Sequence, residues 1–406
     1  MKYEFCCPTL FGLEGIVGDE LRHNGGLEDV RVENGRVFFT GEERTLVWAN
    51  LWLRCAERVL IKIGEFPART FEELFDGVYE LPWLDYIEKD SAFPVKGYSL
   101  SSDLHSIPDC QSIIKKAIVK SLSESYGVTW FEETGARCQV QFSIVNNIAT
   151  LYLDTSGAGL HKRGYRANAN EAPLRETLAA AMVQLSRYRG RGTFLDPFCG
   201  SGTIPIEAAM IAMNRAPGLS RSFDAEKWTL IEPEIWRQER ERALDLIYRD
   251  RVYDISGSDI DPACVALSIE NARKAGVDHT VRFAQQDACA LRLQQTEGTL
   301  ICNPPYGERM MDVASARKLL RRFGSVASRS PMKQYIISSD ETFKECFGVR
   351  ADKKRKLYNG MIRCNLFMYY QPPENRKQCH TGGQGKSRRN RSRDQRKPYS
   401  NRGKKN

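Results

Sequence analysis

The sequence of 406 residues contains little that would direct it into or across a membrane. No apolar run approaches the ~20 residues that a membrane-spanning helix requires. The first ten residues include Glu4 and Pro8 and lack the long apolar stretch of a secretory signal. With 41% hydrophobic and 27% charged residues, the composition is that of a globular chain and excludes wholesale disorder. We therefore expect a folded protein of the cytoplasm.

Patterned metal ligands are also missing. The chain has twelve cysteines and five histidines, but no two cysteines show the C-x-x-C spacing of a zinc site or a dithiol redox motif. The histidines are scattered. We expect reduced thiols that pack as small apolar side chains, and no metal.

Net charge is nearly absent from most of the chain. The total is +9, but residues 372–406 alone hold twelve Lys and Arg against two Asp and Glu, which is +10. Residues 1–371 therefore carry −1, so any binding of nucleic acid by the folded part must depend on local patches. The segment 372–406 also lacks aliphatic side chains and is predicted to be a disordered basic tail.

The first half mixes helix and hairpin signals. Apolar residues recur at helical spacing over 10–21, and Asn34–Gly35 separates two short alternating strands. Helices are predicted over 43–58, 70–79 and 113–122, and strands over 59–63, 139–145 and 149–154. Antiparallel hairpins mixed with helices indicate an α+β half.

After a connector at 157–172, strands alternate with helices. Helices are predicted over 174–188, 203–214 and 262–275, strands over 193–197, 254–259, 280–285, 299–302 and 334–338, and a final hairpin around Asn359–Gly360. This alternation predicts a doubly wound, mainly parallel sheet. Ligands bind such sheets at the carboxyl ends of the strands.

The first chemical motif is the strand–loop–helix sequence LDPFCGSGT, residues 195–203. Gly200 and Gly202 carry no side chain, so backbone N–H groups can approach a ligand closely. The motif lacks the G-x-G-x-x-G of a dinucleotide site and the G-K-[ST] of a P-loop. A tight turn is the alternative interpretation.

Acidic residues end the next two strands. Asp259, in GSDIDP, can accept both hydroxyls of a ribose, whereas Asp261 is better placed to cap the helix that Pro262 starts. Asp287 can accept from an adenine amino group. Each acid alone is more often a cap or turn residue, but together with Asp196 they lie at three successive strand ends.

The third motif, ICNPPYG at residues 301–307, runs from an apolar strand into a loop stiffened by two prolines. The Asn303 carboxamide and the Pro304 carbonyl can accept the two hydrogens of an exocyclic amine. Tyr306 offers a ring on which a flipped base can stack. A rigid turn with an exposed tyrosine is the alternative.

DPFCGSGT together with NPPYG resembles the class I S-adenosylmethionine-dependent amino-methyltransferases, which include N6-adenine DNA methylases and N2-guanine RNA methyltransferases. LDTSGAGLHKRGYR, APLRETLAAA, KRKLYNG and the N-terminal NLWLRCAERVLIKIGEF are similar to the bacterial THUMP-domain methyltransferases, relatives of the 23S rRNA guanine-N2 enzyme. The resemblance covers roughly residues 1–371.

This resemblance implies a Rossmann-like methyltransferase domain preceded by an α+β ferredoxin-like and THUMP region. The expected divisions are a ferredoxin-like subdomain at 1–43, an RNA-binding THUMP domain at 44–154, a methyltransferase domain at 155–371 and the tail at 372–406. It further implies a cofactor site for S-adenosylmethionine and a target-base site. The cofactor-binding residues would be Asp196, Phe198, Gly200, Gly202, Thr203, Asp259 and Asp287, and the catalytic residues Asn303, Pro304 and Tyr306.

The resemblance implies methyl transfer to the N2 amine of a guanine in RNA, with 23S rRNA as the expected partner and the tail on RNA phosphates. Two alternatives remain: an N6-adenine DNA methylase, and a noncatalytic RNA-binding or ribosome-assembly factor. Lys115, Lys116 and Lys120 could form an RNA-facing stripe or a solvated face. Residues 161–166 could contact cofactor or RNA, or serve as a linker.

Overall fold

The computed structural model describes residues 2–166, 174–293, 297–305 and 312–379, and it contains two seven-stranded sheets. The first sheet has the strand order β2-β3-β1-β4-β7-β6-β5. Its strands are β1 (Tyr3–Pro8), β2 (Val30–Glu33), β3 (Arg36–Gly41), β4 (Leu60–Pro67), β5 (Val95–Leu100), β6 (Val140–Val145) and β7 (Ile148–Asp154). The accompanying helices are α1 (Glu14–Asp19), α2 (Glu43–Trp52), α3 (Phe71–Tyr79) and α4 (Ile107–Tyr126).

Strand β4 joins the two N-terminal regions into one sheet. It pairs antiparallel with β1 on one side and with β7 on the other. The predicted hairpin around Asn34–Gly35 is confirmed, with Val30 opposite Phe39 and Val32 opposite Val37. Strands β1 and β5 were not predicted from the sequence. Strand β1 is buried along most of its length, so its sequence lacks the alternation of apolar and polar residues that marks a half-exposed strand.

The second sheet has the order β10-β9-β8-β11-β12-β14-β13 and confirms the predicted doubly wound architecture. Strands β8 to β12 are parallel, whereas β14 is antiparallel to β12 and β13 to β14. The strands are β8 (Thr193–Asp196), β9 (Ile255–Asp259), β10 (Val281–Gln285), β11 (Gly298–Cys302), β12 (Lys333–Ser338), β13 (Lys353–Asn359) and β14 (Ile362–Tyr369). The helices are α5 (Glu176–Ser186), α6 (Thr203–Ala212), α7 (Pro233–Asp245), α8 (Pro262–Ala275), α9 (Val313–Ala327) and α10 (Phe343–Phe347).

Helix α9 was missed by the sequence analysis, although its buried residues recur at helical spacing. Ala316, Leu320, Phe323 and Ala327 all face the core. Between α6 and α8 lies an insertion whose Trp228 and Trp236 are buried, at 3% and 4% exposure, in the main core. The Trp228 indole also donates to the carbonyl of Arg137, in the N-terminal half, at 2.9 Å.

The structure continues through Cys379 and so includes the first eight residues of the expected tail, 372–379. Residues Pro373–Asn375 form a short 3₁₀ helix, and the guanidinium of Arg376 donates to the carbonyls of Ser328 and Met332 at 2.9 and 3.1 Å. Within the described ranges, no helix is long and apolar enough to cross a membrane.

Candidate active site

The three motifs meet at one edge of the second sheet. Asp196, Asp259 and Asn303 stand at or directly after the carboxyl ends of β8, β9 and β11, and Asp287 follows β10. The strand order turns in opposite directions from β8, towards β9 on one side and β11 on the other. Such a switch point opens a crevice for a ligand.

Asp196 is almost fully buried, at 1% exposure. Its Oδ1 accepts a hydrogen bond from the Phe198 N–H at 3.0 Å, whereas Oδ2 has no partner among the described residues. Burial raises the pKa of this carboxyl well above its usual range, the charge of Asp259 raises it further, and the Phe198 N–H lowers it. An orphaned buried oxygen of this kind suits a cationic ligand group.

The glycines of the loop have the conformations that their residue type permits. Gly200 and Gly202 have φ of +52° and +81°. A Cβ on Gly200 would meet open space, whereas one on Gly202 would lie 3.0 Å from the Cβ of Ser268. Gly202 therefore allows close packing, and Gly200 leaves its side of the loop open to a ligand.

Helix α8 holds the loop from behind. The Ser268 hydroxyl donates to the Gly200 carbonyl at 2.7 Å, and the Asn271 amide donates to the Ser201 carbonyl at 2.9 Å. Both side chains are buried. Sequence reasoning missed them, although polar residues on the buried face of an amphipathic helix were the available signal.

Asp259 and Asp287 have local partners that leave part of each carboxylate for other contacts. Asp259 accepts from the Gly200 N–H at 3.0 Å and from the Asp261 N–H at 3.1 Å. Asp261 caps α8 through the Ala263 N–H at 2.9 Å, as predicted. Asp287 accepts from the Cys289 N–H at 2.8 Å, and its second oxygen lies 3.7 Å from the Arg322 guanidinium.

Phe198 and Thr203 face protein partners. The Phe198 ring packs edge-on against Phe323 of α9, with centroids 4.9 Å apart. The Thr203 hydroxyl accepts a hydrogen bond from Arg166, whose guanidinium also lies 3.4 Å from the Glu176 carboxylate. These contacts fix both ends of the loop.

Asn303 follows directly on β11, where Cys302 pairs with Ile336. Its side chain is half-buried, and its carboxamide has no hydrogen-bond partner in the described part of the chain. Pro304 is buried. Tyr306 lies outside the described residues.

Two lesser candidate residues, Arg163 and Lys115, are held by contacts within the protein, whereas Lys116 and Lys120 are exposed. Arg163 is buried at 2% exposure and donates to the Glu207 carboxylate and the Arg54 carbonyl, which makes this part of 161–166 a structural linker. Lys115 donates to the Glu133 carboxylate at 2.5 Å and lies 3.3 Å from the centre of the Phe93 ring.

The site fits the expected S-adenosylmethionine, which carries positive charge on its sulfonium and amino groups. The orphaned Asp196 oxygen provides a hydrogen-bond acceptor, and the open side of Gly200 provides space at the switch point. Further along the same edge stand two more carboxylates, Asp259 and Asp287. No group of three or more His, Cys, Asp or Glu side chains with metal-site geometry occurs in the described ranges.

Comparison with protein families divides the chain into three. Residues 4–60 match an RlmL ferredoxin-like domain, residues 68–154 a THUMP domain and residues 163–367 an RMKL-like methyltransferase domain. The ferredoxin-like match thus extends through α2 to the start of β4, whereas the sequence-based expectation has the THUMP domain begin at residue 44, at the start of α2.

Two sequence relatives share most of this chain. "Putative RNA methyltransferase YpsC" of Bacillus subtilis (strain 168) is 40% identical over 372 residues, 91% of this chain and 96% of the relative. "Ribosomal RNA large subunit methyltransferase K/L" of Psychromonas ingrahamii is 34% identical over 90% of this chain. The chain spans only 50% of that second protein.

Two crystal structures have the same architecture. One, named "a predicted N6-adenine-specific DNA methylase" from Listeria monocytogenes, is 44% identical with a TM-score of 0.86 and covers 92% of this chain and 97% of its own. SMU.472 complexed with S-adenosylhomocysteine is 41% identical with a TM-score of 0.85, over 91% of this chain and 98% of its own. This chain thus belongs to the S-adenosylmethionine-dependent methyltransferases in which ferredoxin-like and THUMP domains precede an RMKL-like methyltransferase domain.

Proposed function

We propose that this protein transfers a methyl group from S-adenosylmethionine to the exocyclic N2 amine of a guanine in large-subunit rRNA. The observation that carries the proposal is the Asn303 carboxamide, without a partner among the described residues, beside the buried Pro304 at the strand end next to the Asp196 loop. The THUMP domain and the names of the two sequence relatives support RNA as the substrate. Guanine and its N2 position rest on the family resemblance.

On the cofactor side, the proposed roles follow from charge and free lone pairs. Asp196 would accept the ammonium of the methionine portion with its orphaned Oδ2, a charge-assisted hydrogen bond. Asp259 would accept the ribose hydroxyls, and Asp287 the adenine amine. When bound, the cofactor supplies an electrophilic methyl group on its sulfonium.

On the substrate side, Asn303 Oδ1 and the Pro304 carbonyl would accept the two hydrogens of the target amine. Because these bonds favour a pyramidal nitrogen, they concentrate a lone pair that is otherwise delocalised into the base. The nitrogen needs no strong base, because its proton passes to solvent water after the new C–N bond has formed. Holding the amine in line with the methyl group supplies much of the acceleration, since orientation can remove several kcal/mol of a barrier.

The test uses the purified full-length protein, a transcript of 23S rRNA and S-adenosylmethionine with a labelled methyl group. Nucleoside mass spectrometry after digestion should find N2-methylguanosine in the transcript. Mapping rRNA from cells with and without the gene should then locate the position. Labelling of another nucleoside would contradict the guanine-N2 assignment.

The name given to the Listeria structure favours a second candidate, an N6-adenine DNA methylase, which shares the Asn-Pro-Pro-Tyr motif. Double-stranded DNA of the same sequence, assayed in parallel, separates the two. Methyl transfer to adenine in DNA with none to rRNA would establish this alternative. Transfer to neither substrate, with S-adenosylhomocysteine still bound, would favour a noncatalytic RNA-binding or assembly factor.

The basic C-terminal segment is proposed to bind RNA phosphates without reading sequence. Residues 380–406 hold ten Lys and Arg against one Asp. A chain of this composition binds a polyanion by releasing condensed counterions, so its affinity depends strongly on salt. The choice of nucleotide would remain with the folded domains.

A further inference from the structure

A second feature stands at the same edge of the catalytic sheet, beyond Asn303. The turn Asn359–Met361 joins β13 to β14, and β14 pairs with β12 so that Asn365 lies opposite Ser338, the carboxyl end of that strand. The turn therefore projects at the carboxyl edge. Strands β11 and β13 are three steps apart, which at the usual strand spacing is about 14 Å.

Large apolar side chains are exposed at this place. Met361 is 98% exposed at the tip of the hairpin, and Phe11, from the loop after β1, is 59% exposed beside it. Tyr358 is half-buried, and Lys356 and Arg363 are exposed. We call these five residues the hairpin surface: Phe11, Lys356, Tyr358, Met361 and Arg363.

The aromatic rings of the hairpin surface are held in place. Phe11 and Tyr358 pack edge-on with centroids 6.2 Å apart, and Lys356 Nζ lies 5.3 Å from the centre of the Tyr358 ring. Tyr358 and Arg363 are directly opposite each other on β13 and β14, so both side chains are on one face.

The loop that carries Phe11 is tied to the catalytic domain. Arg355 donates to the Gly12 carbonyl at 2.6 Å, and Gly12 has φ of +92°. A Cβ on Gly12 would lie 2.9 Å from the Lys356 carbonyl, so only glycine permits this approach. The carboxylate of Glu14 accepts the N–H groups of Gly12 and Gly35 at 2.8 and 3.1 Å, which occupies the acid nearest to the loop in sequence.

The charge of the hairpin stands out from the rest of the folded part. Residues 353–363 include five Lys and Arg and no Asp or Glu, whereas residues 1–371 as a whole carry −1. Cations concentrated around an exposed ring, Phe11, and a half-exposed ring, Tyr358, are the chemistry with which proteins bind single-stranded nucleic acid: the rings stack on bases and the cations neutralise phosphates.

We infer that the hairpin surface binds the RNA strand that flanks the target nucleotide, with bases on Phe11 and Tyr358 and phosphates at Lys356 and Arg363. This inference rests on RNA being the substrate, as proposed above. A base that reaches Asn303 must leave the RNA helix, and this exposes the faces of the neighbouring bases. The rings of Phe11 and Tyr358 can stack on those exposed bases. The surface also places a residue of the ferredoxin-like domain next to the substrate.

The electrostatic part is tested with a charge-reversed pair and a matched control. Lys356→Glu/Arg363→Glu alters the hairpin surface, and Arg273→Glu/Lys333→Glu makes the same change of charge at the opposite edge of the sheet, where both residues are exposed. Binding of 23S rRNA transcript is titrated at several salt concentrations. The hairpin variant should lose at least tenfold in affinity at low salt, and its slope of log affinity against log salt should flatten by about two. The control should stay close to the unmodified protein.

The stacking part is tested with Tyr358→Leu and Phe11→Ala against the conservative Tyr358→Phe. Loss of one stacked base should reduce RNA affinity roughly 5- to 100-fold without changing the salt slope, whereas Tyr358→Phe should bind normally. Calorimetry with S-adenosylhomocysteine should give unchanged affinity for every variant, which shows that the domain remains folded.

Three results would contradict one or both claims. If the unmodified protein methylates the transcript but the hairpin variants bind it as well as the control does, the inference is wrong and the proposed function stands. If the unmodified protein neither binds nor methylates the transcript yet methylates DNA, the proposed function fails, and the inference fails with it because it requires an RNA substrate. An equal loss in hairpin variant and control would also overturn the inference, because it would show that only bulk charge matters.

Discussion

The carboxyl edge of the catalytic sheet has two unlike halves. On one side of the switch point, β8 and β9 end at Asp196 and Asp259, and Asp287 follows the end of β10. On the other side, the uncharged Asn303 directly follows β11, and the β13–β14 hairpin is strongly basic. The acid that follows β12, Asp340, is neutralised by Arg317 through two contacts of 2.9 and 3.1 Å.

This difference matches the charges of the two reactants. The cofactor has a cationic centre and would occupy the acidic half, whereas RNA is a polyanion and would approach over the basic half. The target amine would meet the methyl group where the halves join, between β8 and β11. The two halves can therefore be altered separately. Substitutions in the acidic half should weaken the binding of the cofactor only, and substitutions in the basic half should weaken the binding of RNA only.

The largest effect is expected at the junction of the halves. Asn303→Ala should reduce methyl transfer by about 10²-fold or more, because an oriented acceptor for the reacting amine is removed. Single-turnover assays with rRNA transcript measure the change. The affinity for S-adenosylhomocysteine should stay the same, since the acidic half is intact. Near-normal turnover would remove Asn303 from the mechanism.

The acidic half is tested by Asp259→Ala, with Asp261→Ala as the matched control. Loss of Asp259 should weaken cofactor binding by roughly 1.5–3 kcal/mol, the scale of hydrogen bonds to a charged group. Asp261→Ala removes only the cap of α8 and should cost about 1 kcal/mol of stability while leaving the affinity unchanged. Calorimetry measures the cofactor affinity of both variants. A loss of affinity in Asp261→Ala but not in Asp259→Ala would assign the ribose to Asp261.

A smaller effect, dependent on pH, is expected at Asp196. Because burial raises its pKa in the folded protein, the stability linked to this group is complete below the pKa of the unfolded chain and is lost as the pH rises through the raised value. The carboxamide side chain of the Asp196→Asn variant cannot ionise, so this variant does not show this loss of stability as the pH rises. Without cofactor, its Tm should therefore exceed that of the unmodified protein by a few degrees at pH 7, and the gap should close towards pH 4.

The same variant should bind S-adenosylhomocysteine less tightly at pH 7, because a neutral amide attracts the ammonium less than a carboxylate does. As the pH falls and Asp196 takes up its proton, the affinities of the two proteins should converge. A gap in Tm that is independent of pH would show that Asp196 is not the group that titrates.

The smallest effect on the reaction is expected from the tail. Deletion of residues 380–406 leaves the packed segment around Arg376 in place. It should lower affinity for long RNA a few-fold at low salt and flatten the salt slope, since a protein that neutralises fewer phosphates releases fewer counterions. The methylated position and the cofactor affinity should not change. Titration lines that superimpose would leave the tail without an RNA role.

The sequence was sufficient for the parts of this site that depend on local pattern. The strand–loop–helix around Gly200, the cap at Asp261 and the hairpin around Asn359 all follow from residue types that few other conformations tolerate. The division between the ferredoxin-like and THUMP regions, expected at residues 43 and 44, stays a prediction, because an amphipathic helix such as α2 has no local signal of the domain to which it belongs. Its assignment depends on β4, which pairs in both directions.

Contacts between distant segments could not be predicted in this way. Ser268 and Asn271 support the cofactor loop from some 70 positions away, and Phe11 meets Tyr358 across more than 340 residues. Neither pairing leaves a local spacing in the sequence, because each depends on how the domains pack. The orphaned oxygen of Asp196 also becomes apparent only when its surroundings are known.

Strand β4 has a consequence for how the N-terminal half folds. Because β4 pairs with both β1 and β7, a fragment cut at the THUMP boundary, residues 68–154, would lose the strand that covers β7. An uncovered edge of this kind readily pairs with other chains. The ferredoxin-like and THUMP regions therefore share a single cooperative unit, and neither is expected to remain monomeric when expressed without the strand between them.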